Sequence, residues 1–183
     1  MKLRIALCLL SVLMCAEVAM GQSAPAEKTG VLLVHYGTRN DASRKVTIDA
    51  LDSMAMARFA DCEVVEAYAA GSVIKSLGKR GIKKLTISEG LDKLIADGCQ
   101  NAVVQTTMLL DGVMNDIVKN EVNARKSKFK KIVVARPLLY SVDDCRNMLD
   151  QIAAHINAKS DEQVVIVGHG SDSPANAIYS QLD

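Results

Sequence analysis

The chain has 183 residues, with 22 basic and 21 acidic side chains and a formal net charge of +1, a balance that excludes nucleic acid as the main partner because phosphate binding needs a basic surface. Its length and its 49% hydrophobic content suffice for one packed α/β domain. Five cysteines without a CxxC pair fit neither a disulfide framework nor a zinc knuckle.

The chain opens on a leader. Lys2 and Arg4 precede an apolar stretch over 5–14, and Ala19, Met20 and Gly21 place small residues at the minus-three and minus-one positions before Gln22. This is the pattern of a secretory signal peptide over 1–21, shorter than a membrane span. It predicts export, a periplasmic location in a two-membrane host, and no stable membrane anchor after cleavage. The mature part keeps 20 basic and 20 acidic side chains and is formally neutral. It also keeps Cys62, Cys99 and Cys145, which read as buried apolar residues.

A polar linker over 22–29 leads into an alternation of strands and helices. Strands are predicted at 30–35, 62–68, 101–107, 131–135 and 163–168, and helices at 40–58, 71–78, 84–97, 112–127 and 142–157. That order predicts an α/β fold, a three-layer lobe over 30–160 built on a parallel sheet with helices on both faces. Thr38 or Asn40 can cap the first helix, and Ser141 with Asp144 makes a capping-box start to the last. Gly98 stops the helix that carries Leu91, Leu94 and Ile95. The strand at 163–168 and a helix begun at Pro174 read as the opening of a second, similar lobe over 161–183. One strand and one helix cannot bury their own apolar faces, so this second lobe is expected to be incomplete and the chain truncated. An unfinished lobe leaves an open sheet edge that invites pairing with a second copy.

Two strands end alike, VLLVHYGT at 31–38 and VVIVGHGS at 164–171. Each is a β-branched run finishing in a His/Gly/hydroxyl turn at the carboxyl edge, where open α/β sheets bind ligands. His169 lies between Gly168 and Gly170, where its ring can enter a cleft. A neutral imidazole binds borderline first-row metals and titrates near neutral pH, so His169 is the candidate catalytic residue and metal ligand, its plain alternative being a histidine that merely hydrogen-bonds the turn. In the first copy the histidine falls one residue earlier, so Tyr36 takes the matching place and His35 reads as a structural or cleft-wall residue. Tyr36, Glu66 and Arg136 are candidate substrate contacts, Glu66 beside Tyr68 at a strand end and Arg136 as a fork for a carboxylate. Asp111 reads first as a helix N-cap and second as a substitute carboxylate in the cleft. His155 reads as a surface residue, and Lys75, Lys79, Arg80, Lys83 and Lys84 as a solvated basic loop.

Together with EAYAAGSVI at 66–74, QTTMLLDGVMNDIV at 105–118, RPLLYS at 136–141 and GHGSDSPANAIY at 168–179, these stretches resemble the anaerobic sirohydrochlorin cobaltochelatases, class II chelatases. The resemblance covers nearly all of 30–183 and implies a molecule of two related α/β lobes. It implies a metal chelatase of anaerobic cobalamin biosynthesis that inserts a divalent metal, Co²⁺ with Fe²⁺ or Ni²⁺ as alternatives, into a tetrapyrrole. By the same resemblance His169 is metal ligand and proton acceptor. The chain departs from the family where Met108 replaces an expected metal-binding histidine, where Val113 replaces a common acidic residue, and where Arg136 and Pro137 fall near an expected glutamate. A thioether is a soft ligand for Cu(I) or haem iron, poor for aqueous Co²⁺, and it takes no proton. Met108 therefore enters as a weak metal ligand. An exported tetrapyrrole- or haem-binding protein, or an inactive remnant, stands as the alternative.

Overall fold

Parallel strands buried on both faces read as near-continuous apolar runs, and Val31, Leu32, Leu33 and Val34 form such a run at the centre of the sheet. The computed structural model describes residues 27–156, 159, 161–170 and 173–181. The predicted leader and most of the linker lie outside the described residues. The elements are β1 (Thr29–His35), α1 (Asp41–Val46), α2 (Ile48–Arg58), β2 (Glu63–Tyr68), α3 (Gly71–Gly78), α4 (Ile87–Ala96), β3 (Asn101–Thr106), α5 (Val113–Arg125), β4 (Lys131–Val134) and α6 (Val142–His155). Strand order is β2-β1-β3-β4, and every pairing is parallel. In β1 each residue from Gly30 to His35 is buried.

Side chains alternate across the sheet, and the alternation divides the core in two. Leu32 and Val34 of β1, with Val65 and Ala67 of β2 and Ala102 and Val104 of β3, pack against Ile87, Leu91 and Leu94 of α4 and Val118 and Val122 of α5. Gly90 permits this approach of α4, because a Cβ there would lie 2.6 Å from Leu32 Cδ1 and 3.2 Å from Ala67 Cβ. Tyr68 points the other way and packs with Ile48 of α2 and Val73 and Leu77 of α3. Helices thus lie on both faces of a parallel sheet, the three-layer α/β arrangement that the alternation predicts.

The predicted helix over 40–58 is two helices. Asn40 caps α1 by accepting from the Ser43 amide at 2.9 Å, and Thr47 breaks the continuation with its hydroxyl donating to Ser43 O at 2.7 Å. Val46, Thr47 and Ile48 are β-branched in succession, and a threonine that bonds back to the preceding turn competes with the helix ladder. Ser141 and Asp144 form the predicted capping box of α6. A second box, Thr86 with Glu89, starts α4 three residues later than the hydrophobic pattern suggests. Gly98 ends α4 with φ of +77°.

The predicted strand at 163–168 does not form. Residues 162–170 belong to no helix or strand and lie outside any ladder, and Val165 and Val167 are 79% and 87% exposed. A β-branched run becomes a strand only where a neighbour supplies the other half of the ladder, and none of the described residues does so. Pro174–Gln181 is a 3-10 helix lying against α6, where the sequence predicts an α-helix. Cys99 and Cys145 are buried and free, as expected, whereas Cys62 is half-buried. Among the described residues no helix is long and apolar enough to cross a membrane.

Leu91 is fully buried between α4 and the sheet. Replacing it by alanine is expected to remove about 2–5 kcal/mol of stability, seen as a lower urea midpoint at unchanged m. A loss below about 1 kcal/mol would mean that α4 does not seal this core.

Candidate functional site

Parallel pairing of β1 with β3 brings their carboxyl ends together, so the turn after His35 and the loop after Thr106 open on one edge. There they form one wall of a cavity of about 950 Å³, with Tyr36, Met108, Leu109 and Met114 among its residues. His169, Gly170, Ser173, Asn176 and Tyr179 line the same cavity. Its size falls near the top of the roughly 300–1,000 Å³ range of small-molecule pockets. Three of the five residues selected from the sequence, Tyr36, Met108 and His169, line this one cavity.

The Gly-His-Gly turn has a steric basis. Gly170 has φ of +78°, a left-handed conformation that side chains disfavour, and a Cβ on Gly168 would come 2.6 Å from Tyr179 Cε1. His169 is exposed, and its Nδ1 lies 3.0 Å from Gly170 O. A carbonyl only accepts, so Nδ1 carries the proton and the Nε2 lone pair is left for a metal or a proton. Met108 is half-buried and packs against the main core while lining the same cavity as His169, to which it contributes a soft and apolar side chain.

Glu66 and Arg136 do not line this cavity. Glu66 sits beside Leu33 in register, two residues before the end of β2, and so lies on the sheet face rather than at its edge. Both of its carboxylate oxygens accept from Lys84 Nζ, at 2.8 and 2.6 Å. Lys84 is thereby taken out of the predicted solvated loop, and Arg80 is likewise engaged, with Asp41 and with Arg39 O. Arg136 pairs with Asp144 at 3.0 Å and lies over the Tyr140 ring. It lines a separate cavity of about 210 Å³ with Asp111, Asn115, Lys119 and Tyr140. Hydrogen bonds from Ser141, with the Arg136 charge adding to them, hold the Asp144 carboxyl below its ordinary range. Asp111 is not the N-cap of α5, a position taken by Gly112; it pairs instead with Lys119 at 2.7 Å. His155 is a surface residue bonded to Gln151 O.

His35 is structural, as its one-residue offset suggests, and is only 1% exposed. Its Nε2 lies 2.9 Å from Asp52 Oδ1, and its Nδ1 lies 3.0 Å from Thr107 Oγ1. Asp52 escaped the sequence reading. Its signal was a carboxylate four residues after Ile48, hence on the inward face of α2. Tyr68, in edge contact with His35, has a phenol pushed well above its usual value, chiefly by burial and then by Glu66.

A parallel four-stranded sheet with helices on both faces and a ligand-sized cavity at the carboxyl edge of its strands forms a chelatase-like α/β lobe. The model of the cobalt chelatase (CbiK) family matches residues 29–183, and the chain belongs to that family. It is 28% identical over 158 residues to the sirohydrochlorin cobaltochelatase of Salmonella typhimurium, covering 85% of this chain and 60% of that protein. It is 28% identical over 165 residues to the sirohydrochlorin cobaltochelatase CbiKC of Nitratidesulfovibrio vulgaris, covering 88% of this chain and 58% of that one. The chain therefore spans about 60% of the length of the curated relatives it matches.

Gly37, at the turn that presents Tyr36, has φ of +100°, and a Cβ there would lie 2.9 Å from Tyr68 Cε2. Gly37→Ala is expected to cost about 1–3 kcal/mol, measured by chemical denaturation. An unchanged midpoint would show that the turn relaxes freely around the ring.

Proposed function

We propose that this chain acts as a sirohydrochlorin cobaltochelatase-type enzyme, inserting a divalent metal, Co²⁺ first, into a tetrapyrrole for anaerobic cobalamin biosynthesis. The observation that carries the reading is His169, its Nε2 lone pair left open at the wall of a 950 Å³ cavity. Membership of the cobalt chelatase family and the names of both relatives support it.

Insertion requires a planar macrocycle to lose two pyrrole protons while a hydrated ion sheds water and passes to nitrogen ligands. An imidazole serves both needs in sequence. With Nδ1–H on the Gly170 carbonyl, Nε2 first holds the incoming ion; as the ion passes to the ring, the same atom takes one pyrrole proton, and water shed by the ion carries off the other. Few protein ligands favour release, since an ion held too tightly is not delivered. Tyr36 and Met108, which line the same cavity, offer a flat ring and a polarisable thioether to the macrocycle.

A second reading, a tetrapyrrole or haem carrier on the same scaffold, is favoured by one observation, Met108 at the cavity where the family resemblance leads one to expect a histidine. Anaerobic incubation of the purified chain with sirohydrochlorin and Co²⁺, followed by macrocycle absorption, separates the two. Insertion above the spontaneous rate is expected, falling about 10²–10⁴-fold in His169→Ala. Spectral shifts without insertion would support the carrier, and no interaction by a folded chain would remove both.

The leader over 1–21 supports export and a periplasmic site of action in a two-membrane host. Intact-mass analysis of the protein recovered from its host is expected to give an N-terminus at Gln22. Retention of Met1 in a cytoplasmic fraction would overturn export.

A further inference from the structure

We propose that His35, Asp52 and Glu66 form a second metal site, buried under α2 and distinct from the cavity, for a divalent first-row transition ion. The inference rests on these side chains and does not depend on the chelatase reading. One ligand atom from each residue lies within 4.8 Å of the other two. Donors around a first-row ion, with bonds of about 2.0–2.2 Å, sit roughly 3–3.5 Å apart. The His35–Asp52 spacing of 2.9 Å is already near that value, and Glu66, within 4.8 Å of both, has to close by at most about 1–2 Å.

The surroundings match a metal site more closely than an ordinary ion pair. Thr107 Oγ1 lies 3.0 Å from His35 Nδ1 and 3.5 Å from Val34 O, a polar partner for the ring on the side away from Asp52. Nε2 faces the Asp52 carboxylate oxygen at 2.9 Å, where a metal ion would take the place of the shared imidazole proton. An outer partner on the second ring nitrogen is what metal-ligating histidines have. Lys84 plays the corresponding part for Glu66, whose carboxylate keeps further lone pairs for an ion while it accepts from Nζ.

A second observation is independent of the three ligands. Tyr68 is 1% exposed, and among the described residues its hydroxyl has no hydrogen-bond partner. It lies in the field of the Glu66 and Asp52 carboxylates. An unmatched buried hydroxyl normally costs stability; a bound ion, or water on that ion, would satisfy it.

One imidazole nitrogen with two carboxylates suits Co²⁺, Zn²⁺, Ni²⁺ or Fe²⁺. It lacks the sulfur that selects Cu(I) and the all-oxygen shell that selects Mg²⁺ or Ca²⁺. The nearby Lys84 charge disfavours weakly held cations further. Such an ion would be structural, tying α2 to the carboxyl end of β1, the residue before Tyr36.

The test uses the His169→Ala chain, so that the cavity ligand is gone, titrated with Co²⁺ and Zn²⁺ alone. Expected are one equivalent bound, visible Co²⁺ d–d absorption, and a melting temperature raised by several degrees. Asp52→Asn and Glu66→Gln, each nearly isosteric, are expected to weaken binding by more than about tenfold and to lose the metal-induced rise, with far-UV circular dichroism checking that they fold. Failure of His169→Ala to bind either ion would overturn the proposal without any further variant. So would binding that Asp52→Asn and Glu66→Gln leave unchanged. If sirohydrochlorin insertion fails while this chain still binds one ion, the chelatase reading falls and the buried site stands.

Discussion

Burial of β1 on both faces is the constraint from which the rest of the structure follows. A strand covered on both sides must be apolar along its length, and its alternating side chains must satisfy two different environments at once. Leu32 and Val34 are committed to α4 and α5. His35 is committed to the opposite face, where α2 brings Asp52. Because β2 and β3 pair with β1 in parallel on either side, their carboxyl ends reach the same edge. The cavity therefore sits where the turn after β1 meets the loop after β3. Tyr36 and Met108 share it because one follows His35 and the other follows Thr107, residues joined by a side-chain hydrogen bond.

Legibility from sequence followed the reach of the interactions. Strands β1 to β4 were readable because each is a β-branched run bounded by turn residues, and the Ser141–Asp144 cap because it depends on four consecutive residues. The break at Thr47 was missed because it arises from a hydroxyl competing with the backbone, which a hydrophobic pattern does not record. The segment at 163–168 shows the converse. Val164 to Val167 have all the local character of a strand, yet a ladder is a property of two segments, and the described residues supply no partner. In the site, His169 was readable from its two glycines. Asp52 was not, since its meaning depends on which face of α2 meets the sheet. Glu66 and Arg136 were chosen for chemistry and strand-end position, and each turned out to be held by a partner, Lys84 or Asp144, that only the fold brings near.

Of the two histidines that follow β-branched runs, only one belongs to a strand. His35 lies in β1, where side chains alternate across the sheet and its imidazole turns inward, whereas His169 lies outside any ladder and stands exposed. The inward ring is fixed at both nitrogens; the exposed ring is fixed at one. Fixing one nitrogen selects a tautomer and leaves the other free to exchange its ligand, which suits transfer. Fixing both suits retention.

That difference bears on how Co²⁺ would be partitioned within a single chain. Among the described residues the cavity offers an ion one imidazole and a thioether from Met108, a donor pair that is weak for an aqueous divalent ion. The cluster beneath α2 offers an imidazole and two carboxylates with little access to solvent, a donor set that would hold the same ion strongly and exchange it slowly. An ion taken up there would not be the one delivered to a macrocycle, because leaving would require α2 to lift its Ile48 from the cluster with Tyr68, Val73 and Leu77. Weak holding at the cavity and firm holding behind β1 follow from where each imidazole lies, His35 inside the sheet's alternation and His169 outside any ladder.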